Sequence, residues 1–281
     1  MDIFATKKLT DEDFLFFREK IFVISGINLN DAKRTLVQTR LNSHLDRLQI
    51  KTFAEYRVYL EKLPVNDPEH QSFVNLLTTN KTEWFREIEH FNYLISQFIP
   101  KWKKLGKKTL TVWSAASSSG EEAYTIALVL EKLLDKTGID YQIIGSDIDT
   151  NVLSYAQNGV YKREHLSVIP DEYHCYFDMG TKEITEWMKV GKKIKAHVTF
   201  QPFNLKTGNY QKMNQSFDLI FCRNVMIYFT PDIITKVAQG CLEVAAPDAV
   251  LIISHSESMQ NLKTAWKILK PSVYVKGINY L

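Results

Sequence analysis

The stretch from Leu110 to Leu134, LTVWSAASSSGEEAYTIALVLEKLL, constrains this chain more than any other. Leu110, Val112 and Trp113 form a short apolar run of strand-like composition. Ser114 to Gly120 holds only Ser, Ala and Gly. From Glu121 a helical period begins, with Tyr124, Ala127, Leu128, Leu130 and Leu134 on or near one face. A strand, a small-residue loop and a helix make the first turn of a βαβ unit, where the backbone can approach a ligand closely. Ser119 and Glu122 also fit a capping box, so Glu122 has a purely local reading beside a ligand-binding one. Gly120 is the only glycine here, and the G-x-G-x-x-G of a dinucleotide site is absent. The acidic pair Glu121–Glu122 repels a pyrophosphate and suits a cationic nucleoside such as S-adenosylmethionine.

Further strands follow. Tyr141 to Ser146 reads as a second buried strand ending in Asp147-Ile148-Asp149. An acidic residue at that place accepts hydrogen bonds from ribose hydroxyls, which fits Asp147, while Asp149 fits a cap for a helix from Val152 to Asn158. Phe217 to Cys222 is another buried strand, with Arg223-Asn224 at its carboxyl end, where open α/β sheets bind ligands. A helix from Pro231 to about Val244 leads to a strand at Val250 to Ser254, then His255, Ser256 and Glu257. No nucleophile–base pairing promotes His255, which reads as hydrogen-bonded scaffold. Tyr274–Val275 and Ile278–Leu281 fit final antiparallel edge strands. Between Tyr161 and Phe200, short runs such as Ile184–Val190 and Ile194–Phe200 are separated by Pro170, Gly180 and Gly191, predicting a small β-rich insertion at about 175–200.

The front of the chain is helical in pattern. Thr10 precedes an acidic turn, and Phe14, Phe17, Ile21 and Phe22 recur at helical spacing. Asp31 to Leu48 carries Lys33, Arg34, Arg40 and Arg47 among its leucines, and Phe53 to Leu63 adds a third helix. The basic residues fit either a solvated helix face or a docking surface for an acidic partner. These patterns predict a helical domain over residues 1–75 and a Rossmann-like α/β domain over 76–281. Arg86 follows Trp84-Phe85, an arrangement suited to an ion pair or to a bidentate carboxylate contact.

At 281 residues, the chain can bury a full core in one large or two modest domains. A net charge of +3 is too small to argue for nucleic acid. Cys175, Cys222 and Cys241 are too dispersed for a metal motif or a disulfide framework, so no metal is expected and a reducing cytoplasm is. Neither a signal peptide nor a membrane-spanning run is recognisable.

Five collinear blocks, taken together, resemble the chemotaxis receptor methyltransferases of the CheR type. They are NKTEWFRE (Asn80 to Glu87), VWSAASSSGEEAYTIAL (Val112 to Leu128), SDIDTNVLSYAQNGVY (Ser146 to Tyr161), FDLIFCRNVMIYF (Phe217 to Phe229) and SHSES (Ser254 to Ser258). The helical front end is also similar to the family's amino-terminal domain. The resemblance implies a Rossmann-like S-adenosylmethionine methyltransferase domain with a small β-rich insertion, preceded by an all-helical domain. It implies methyl transfer to glutamate side chains on the cytoplasmic helices of methyl-accepting chemotaxis receptors, with S-adenosylhomocysteine as product. Asn80, Thr82, Arg86, Glu121 or Glu122, Asp147, Asn204-Leu205 and Arg223-Asn224 would surround the cofactor. Arg86 and Tyr228 would place the substrate carboxylate, and Lys33, Arg34, Arg40 and Arg47 would dock the receptor.

A glutamate, with an ordinary pKa of about 4.3, is already an anion at neutral pH and needs no general base. That accords with the lack of a triad or metal cluster. Some family members hold a receptor's carboxyl-terminal peptide through a glycine-rich loop in the insertion. Gly180-Thr181-Lys182-Glu183 has one glycine, so tether-independent action is as compatible. A monomer that inserts in no membrane and binds no nucleic acid is expected. Other readings are a methyltransferase for another acceptor and a cofactor-binding sensor or scaffold without transfer activity. A nicotinamide oxidoreductase is disfavoured by the missing glycine fingerprint.

Overall fold

The first helix begins where a threonine side chain can satisfy its free N–H groups. Thr10 Oγ1 accepts from Asp13 N at 3.1 Å, and Gly26, at φ 82°, closes the other end of α1 (Asp11–Ser25) with its N–H on Phe22 O. The computed structural model in which this is seen describes residues 7–276. The expected strand at Ile278–Leu281 lies outside the described residues. The chain divides into two compact units, one running up to Thr79 and including Tyr228–Ile233, the other holding Asn80–Ile227 and Ile234 onward.

In the first unit α1 is followed by α2 (Arg34–Arg47), α3 (Phe53–Lys62) and α4 (Pro68–Leu77). The 3.6-residue period brings Phe14, Phe17, Ile21, Val37, Leu41, Leu45, Phe53, Leu60 and Phe73 into one core. Inside it, Glu69 accepts from Tyr56 Oη at 2.6 Å and pairs with His44 Nε2 at 2.5 Å, so the buried carboxylate is satisfied. Pro68, in the first turn of α4, follows the capping side chain of Asp67.

In the second unit α5 (Ile88–Tyr93) continues through a π-helical turn at Leu94–Phe98 into α6 (Ile99–Lys103). There follow β1 (Thr109–Ser114), α7 (Glu121–Leu134), β2 (Asp140–Asp147), α8 (Thr150–Asn158), β3 (Val160–Lys162), β4 (Phe177–Met179), β5 (Trp187–Val190), α9 (Lys192–Lys195), β6 (Val198–Pro202), β7 (Phe217–Phe221), α10 (Pro231–Glu243), β8 (Ala245–Ile252), β9 (Lys267–Lys270) and β10 (Val273–Val275). The main sheet has the order β6-β2-β1-β7-β8-β10-β9. It is parallel from β6 to β8, while β10 and β9 add antiparallel pairs at one edge. Chain order reverses between β1 and β7, which opens a crevice at their carboxyl ends. This is the expected mixed α/β fold.

Three features depart from the local patterns. The expected run Ile194–Phe200 does not belong to the insertion: Val198–Pro202 is β6 and pairs with β2, Val198 standing opposite Ile143. The small sheet is instead β3-β5-β4. Helix α7 has no single apolar face, because Glu121, Ala123–Glu131 and Leu134 are all buried. Finally, Ser119 and Glu122 form no capping box. Gly120 at φ 98° is the cap position, and Glu122 points to other partners. A Cβ on Gly120 would come within 2.9 Å of Ala156 Cβ, so this glycine permits close packing against α8.

Candidate functional site

The β1–α7 loop is fixed by the neighbouring strand. Ser117 N donates to Ser146 O, and Ser118 N to Asp147 Oδ2, both at 2.8 Å. Asp147 Oδ1 accepts from Asp149 N at 3.0 Å, and Asp149 in turn caps α8. The N–H groups of Ser118, Asp149 and Ile148 bond to the Asp147 carboxylate, which has about four lone pairs and so keeps room for a further donor. The residue is only 9% exposed, and burial, opposed by these N–H groups, pushes its carboxyl up to about 6. Asn80 closes the same corner: its Nδ2 donates to Asp149 Oδ2 at 2.6 Å, and its carbonyl accepts from Ser118 Oγ at 3.0 Å. Asn80, Asp147 and the β1–α7 loop, predicted from separate parts of the chain, are thus brought together.

The segment carrying Asn80, Thr82 and Arg86 is held by aromatic packing. Trp84 lies edge-to-face on Tyr161 at 5.0 Å and on Phe177 at 5.4 Å, tying the segment to the small sheet. Phe85 packs on Tyr173 and Phe91. Thr82 and Arg86 are half-buried. Arg86 Nη1 donates to Lys81 O at 2.9 Å, which uses one of the five guanidinium N–H donors.

Arg223 lies at the end of β7 with its side chain 1% exposed. Its Nη1 donates to Glu122 Oε2 at 2.9 Å, and its Nη2 to Glu87 Oε2 at 3.0 Å and Arg86 O at 2.5 Å. The guanidinium stands 5.9 Å from the ring centres of both Phe91 and Phe221. This side chain donates to these internal acceptors as a charge between two carboxylates. Glu122 also accepts from Ser114 Oγ at 2.7 Å; burial raises its proton affinity, opposed chiefly by Arg223. Glu121 is buried and accepts from Ser119 Oγ at 2.7 Å; burial raises its proton affinity too. Burial would also raise Glu87, but Ser254 Oγ at 2.6 Å and Arg223 outweigh it and hold the carboxyl at about 2.

Asn224, at φ 57°, donates from Nδ2 to Ser254 Oγ at 2.8 Å. Asn204 Oδ1 accepts from Lys206 N at 3.0 Å, forming an Asx turn, and Leu205 is buried. Tyr228 groups with the helical unit, where its carbonyl accepts from Asn28 N at 2.8 Å.

In that helical unit the basic residues of α2 differ sharply. Arg40 donates from Nη1 to Leu76 O at 3.0 Å and to Thr78 O, at the end of α4. Arg34 pairs with Asp11 and lies over the Phe14 ring, and Arg47 Nη2 meets His44 Nδ1 at 2.8 Å. Arg40 in particular is a structural tie.

Glu87, His90, Ser254 and Glu257 were not singled out by sequence reasoning. Their only signal was membership of the NKTEWFRE and SHSES blocks or proximity to them. His90 is 1% exposed, and burial, then the charge of Arg223, pushes it down to about 3. Its Nε2 lies 2.7 Å from Ser272 Oγ. Donor atoms of Glu87, His90 and His255 lie within 4.8 Å of one another, a spacing that invites a metal reading. Arg223, however, already donates to the Glu87 oxygen. A divalent ion roughly 5 Å from that guanidinium would be repelled by about 7 kcal/mol at an effective dielectric constant of ~20. The cluster is better described as the buried His90 packed on the His255 ring beside an ion-paired carboxylate.

The crevice, the Asp147 corner and the acidic start of α7 define a nucleoside-binding α/β domain whose acidic groups suit a cationic ligand. The CheR methyltransferase all-alpha domain matches residues 12–78, and the CheR methyltransferase SAM binding domain matches residues 80–275. Chemotaxis protein methyltransferase 2 of Pseudomonas aeruginosa is 35% identical over 94% of this chain and 93% of its own. The chemotaxis protein methyltransferase of Escherichia coli is 35% identical over 95% of this chain and 91% of its own. That of Borreliella burgdorferi is 33% identical, with coverages of 90% and 89%. This chain belongs to the CheR methyltransferase family, and is an S-adenosylmethionine-dependent methyltransferase. Among the described residues, no helix is long and apolar enough to cross a membrane.

Proposed function

We propose that this enzyme methylates glutamate side chains on the cytoplasmic helices of methyl-accepting chemotaxis receptors, acting in the cytoplasm as a monomer, with γ-glutamyl methyl esters as the product of chemotactic adaptation. The observation that carries the reading is the half-buried Arg86 guanidinium, anchored by Trp84 and Phe85 in the segment that also holds Asn80 against the Asp147 corner.

S-adenosylmethionine supplies an electrophilic methyl carbon and leaves as S-adenosylhomocysteine. Asp147 accepts from a ribose hydroxyl through the acceptor capacity left beyond the Ser118, Asp149 and Ile148 N–H bonds. Asn80, Thr82, Asn204, Leu205 and Asn224 surround the nucleoside, and Glu121 and Glu122 favour its positive charge. Arg223 acts from behind by holding Glu122 and Glu87 in place. Arg86 binds the glutamate carboxylate through its remaining donors, and Tyr228 donates one hydrogen bond to it. No general base is required, since the attacking oxygen is already ionised. Alignment and exclusion of water are therefore the enzyme's task, worth ~7–11 kcal/mol in well-ordered systems. Lys33, just before α2, and Arg34 and Arg47 on it offer positive charge to an acidic receptor helix.

The test is transfer of labelled methyl from S-adenosylmethionine to chemoreceptor-rich membranes. Methanol released by alkali, and lost when receptor glutamates are replaced by alanine, is the expected result. Cofactor binding without label in the receptor would overturn the assignment of substrate.

A further inference from the structure

The loop after β8 contains a carboxylate that no proposed step uses. Glu257 accepts four backbone N–H bonds: Oε2 from Asn224 at 3.0 Å and Ser254 at 2.8 Å, and Oε1 from Met226 at 2.7 Å and Ile227 at 3.3 Å. Three of these donors belong to the turn that leaves β7, beyond the last strand pairing at Cys222 N to Ile252 O. These N–H groups have no sheet partner, and for the buried Met226 an unpaired N–H would be costly. The loop supplies the acceptor by turning back on itself, with Glu257 N on Ser254 O at 3.0 Å. Ser254 completes the arrangement: its Oγ accepts from Asn224 Nδ2 and donates to Glu87 Oε1. Asn224 is thereby held at a φ of 57°, a conformation uncommon outside glycine but open to asparagine.

We infer that Glu257 is a positioning residue for methyl transfer, which acts by holding the Asn224–Ile227 turn in one backbone conformation. The inference rests on the methyltransferase reading, because the turn carries Asn224 and delivers the chain to Tyr228. The geometry requires an ionised carboxylate, with acceptors on both oxygens. A glutamine keeps the length but has one acceptor oxygen, and its NH2 group would face two N–H donors. An aspartate keeps the charge but falls one methylene short.

The experiment compares wild type with Glu257→Gln and Glu257→Asp in the full chain. Amide hydrogen exchange of peptides covering Arg223–Ile227 reports on the turn. Steady-state methylation of receptor membranes, corrected for the folded fraction, reports on catalysis. Glu257→Gln should raise exchange in this turn at least tenfold, lower kcat at least tenfold and weaken the Kd for S-adenosylhomocysteine severalfold, because Asn224 lies in the turn. Glu257→Asp should fall between the two. Unchanged exchange would remove Glu257 as the holder of the turn. Faster exchange with wild-type kcat per folded molecule would reduce it to a stability role. If wild type itself transfers no methyl to receptors, the substrate reading fails; the exchange result then still decides whether Glu257 orders the turn. Should the glutamine variant fold poorly, binding of S-adenosylhomocysteine and exchange at Glu257→Asp carry the same test.

Discussion

Arg223 Nη1 and Glu122 Oε2 stand 2.9 Å apart, joining the carboxyl end of β7 to the first turn of α7 across the crevice where the sheet order reverses. With Glu87 on its other side, Arg223 is the counter-charge shared by two carboxylates that burial alone would penalise.

Replacing Arg223 by methionine keeps the volume and leaves both carboxylates without their counter-charge. A loss of about 3–5 kcal/mol in folding stability is expected. Urea unfolding measures it, and a double-mutant cycle with Glu122→Gln should recover part of the loss. Additive effects would show that the pair contributes no coupling.

Asp147 gives a pH signature. Its folded-state carboxyl lies at about 6, above the ordinary ~3.9. With the folded pKa raised, this group's contribution to stability is fully present below the unfolded value and declines as pH rises through 6. Ribose hydroxyls donate to the charged form, so cofactor affinity runs the opposite way. The affinity for S-adenosylhomocysteine should be flat above pH 7 and fall toward tenfold per unit below 6. Asp147→Asn should bind more weakly by about 1–3 kcal/mol and lose the slope. Calorimetry from pH 5 to 8 decides; an equal slope in the variant assigns the titration elsewhere.

Arg86→Ala should lower kcat about 100-fold, the scale expected when a reacting group is misplaced by roughly 1 Å. Binding of S-adenosylhomocysteine should weaken less than tenfold. Arg86→Lys should rescue poorly, since an ammonium cannot reproduce bidentate geometry. Stopped-time methylation assays separate these outcomes, and undiminished turnover in the alanine variant removes Arg86 from the mechanism.

Receptor docking is best probed at Lys33, because Arg40 is tied to the carbonyls of Leu76 and Thr78. Arg40→Ala should cost about 1–3 kcal/mol in stability by leaving those carbonyls short of donors. Lys33→Glu should leave the melting temperature alone and raise KM for receptor severalfold at low ionic strength, with the effect shrinking as salt is added. An unaltered KM would return the Asp31–Leu48 segment to a solvated face.

Much of this architecture was legible from local pattern. Thr10 and Asp149 cap the helices they were expected to cap, and Asp147 closes its strand beside the β1–α7 loop. Such features depend on a few neighbouring residues, through capping bonds and the periods of helix and strand. The SHSES and NKTEWFRE blocks marked the right neighbourhoods without disclosing what Glu257 or Glu87 does there.

What the sequence alone determined, then, was the set of elements, their caps and the chemistry of the acidic loop. Only the tertiary structure decided which long-range partners those groups would take. It made Glu122 an ion-pair partner of a residue 101 positions away, and placed the Val198–Pro202 strand in the main sheet. It also turned Arg40 into a helix tie and buried α7 on nearly every side. The physical reason is that capping and periodicity are written into adjacent residues. Pairing of buried charges depends instead on which surfaces the completed sheet brings together, and local pattern does not encode that.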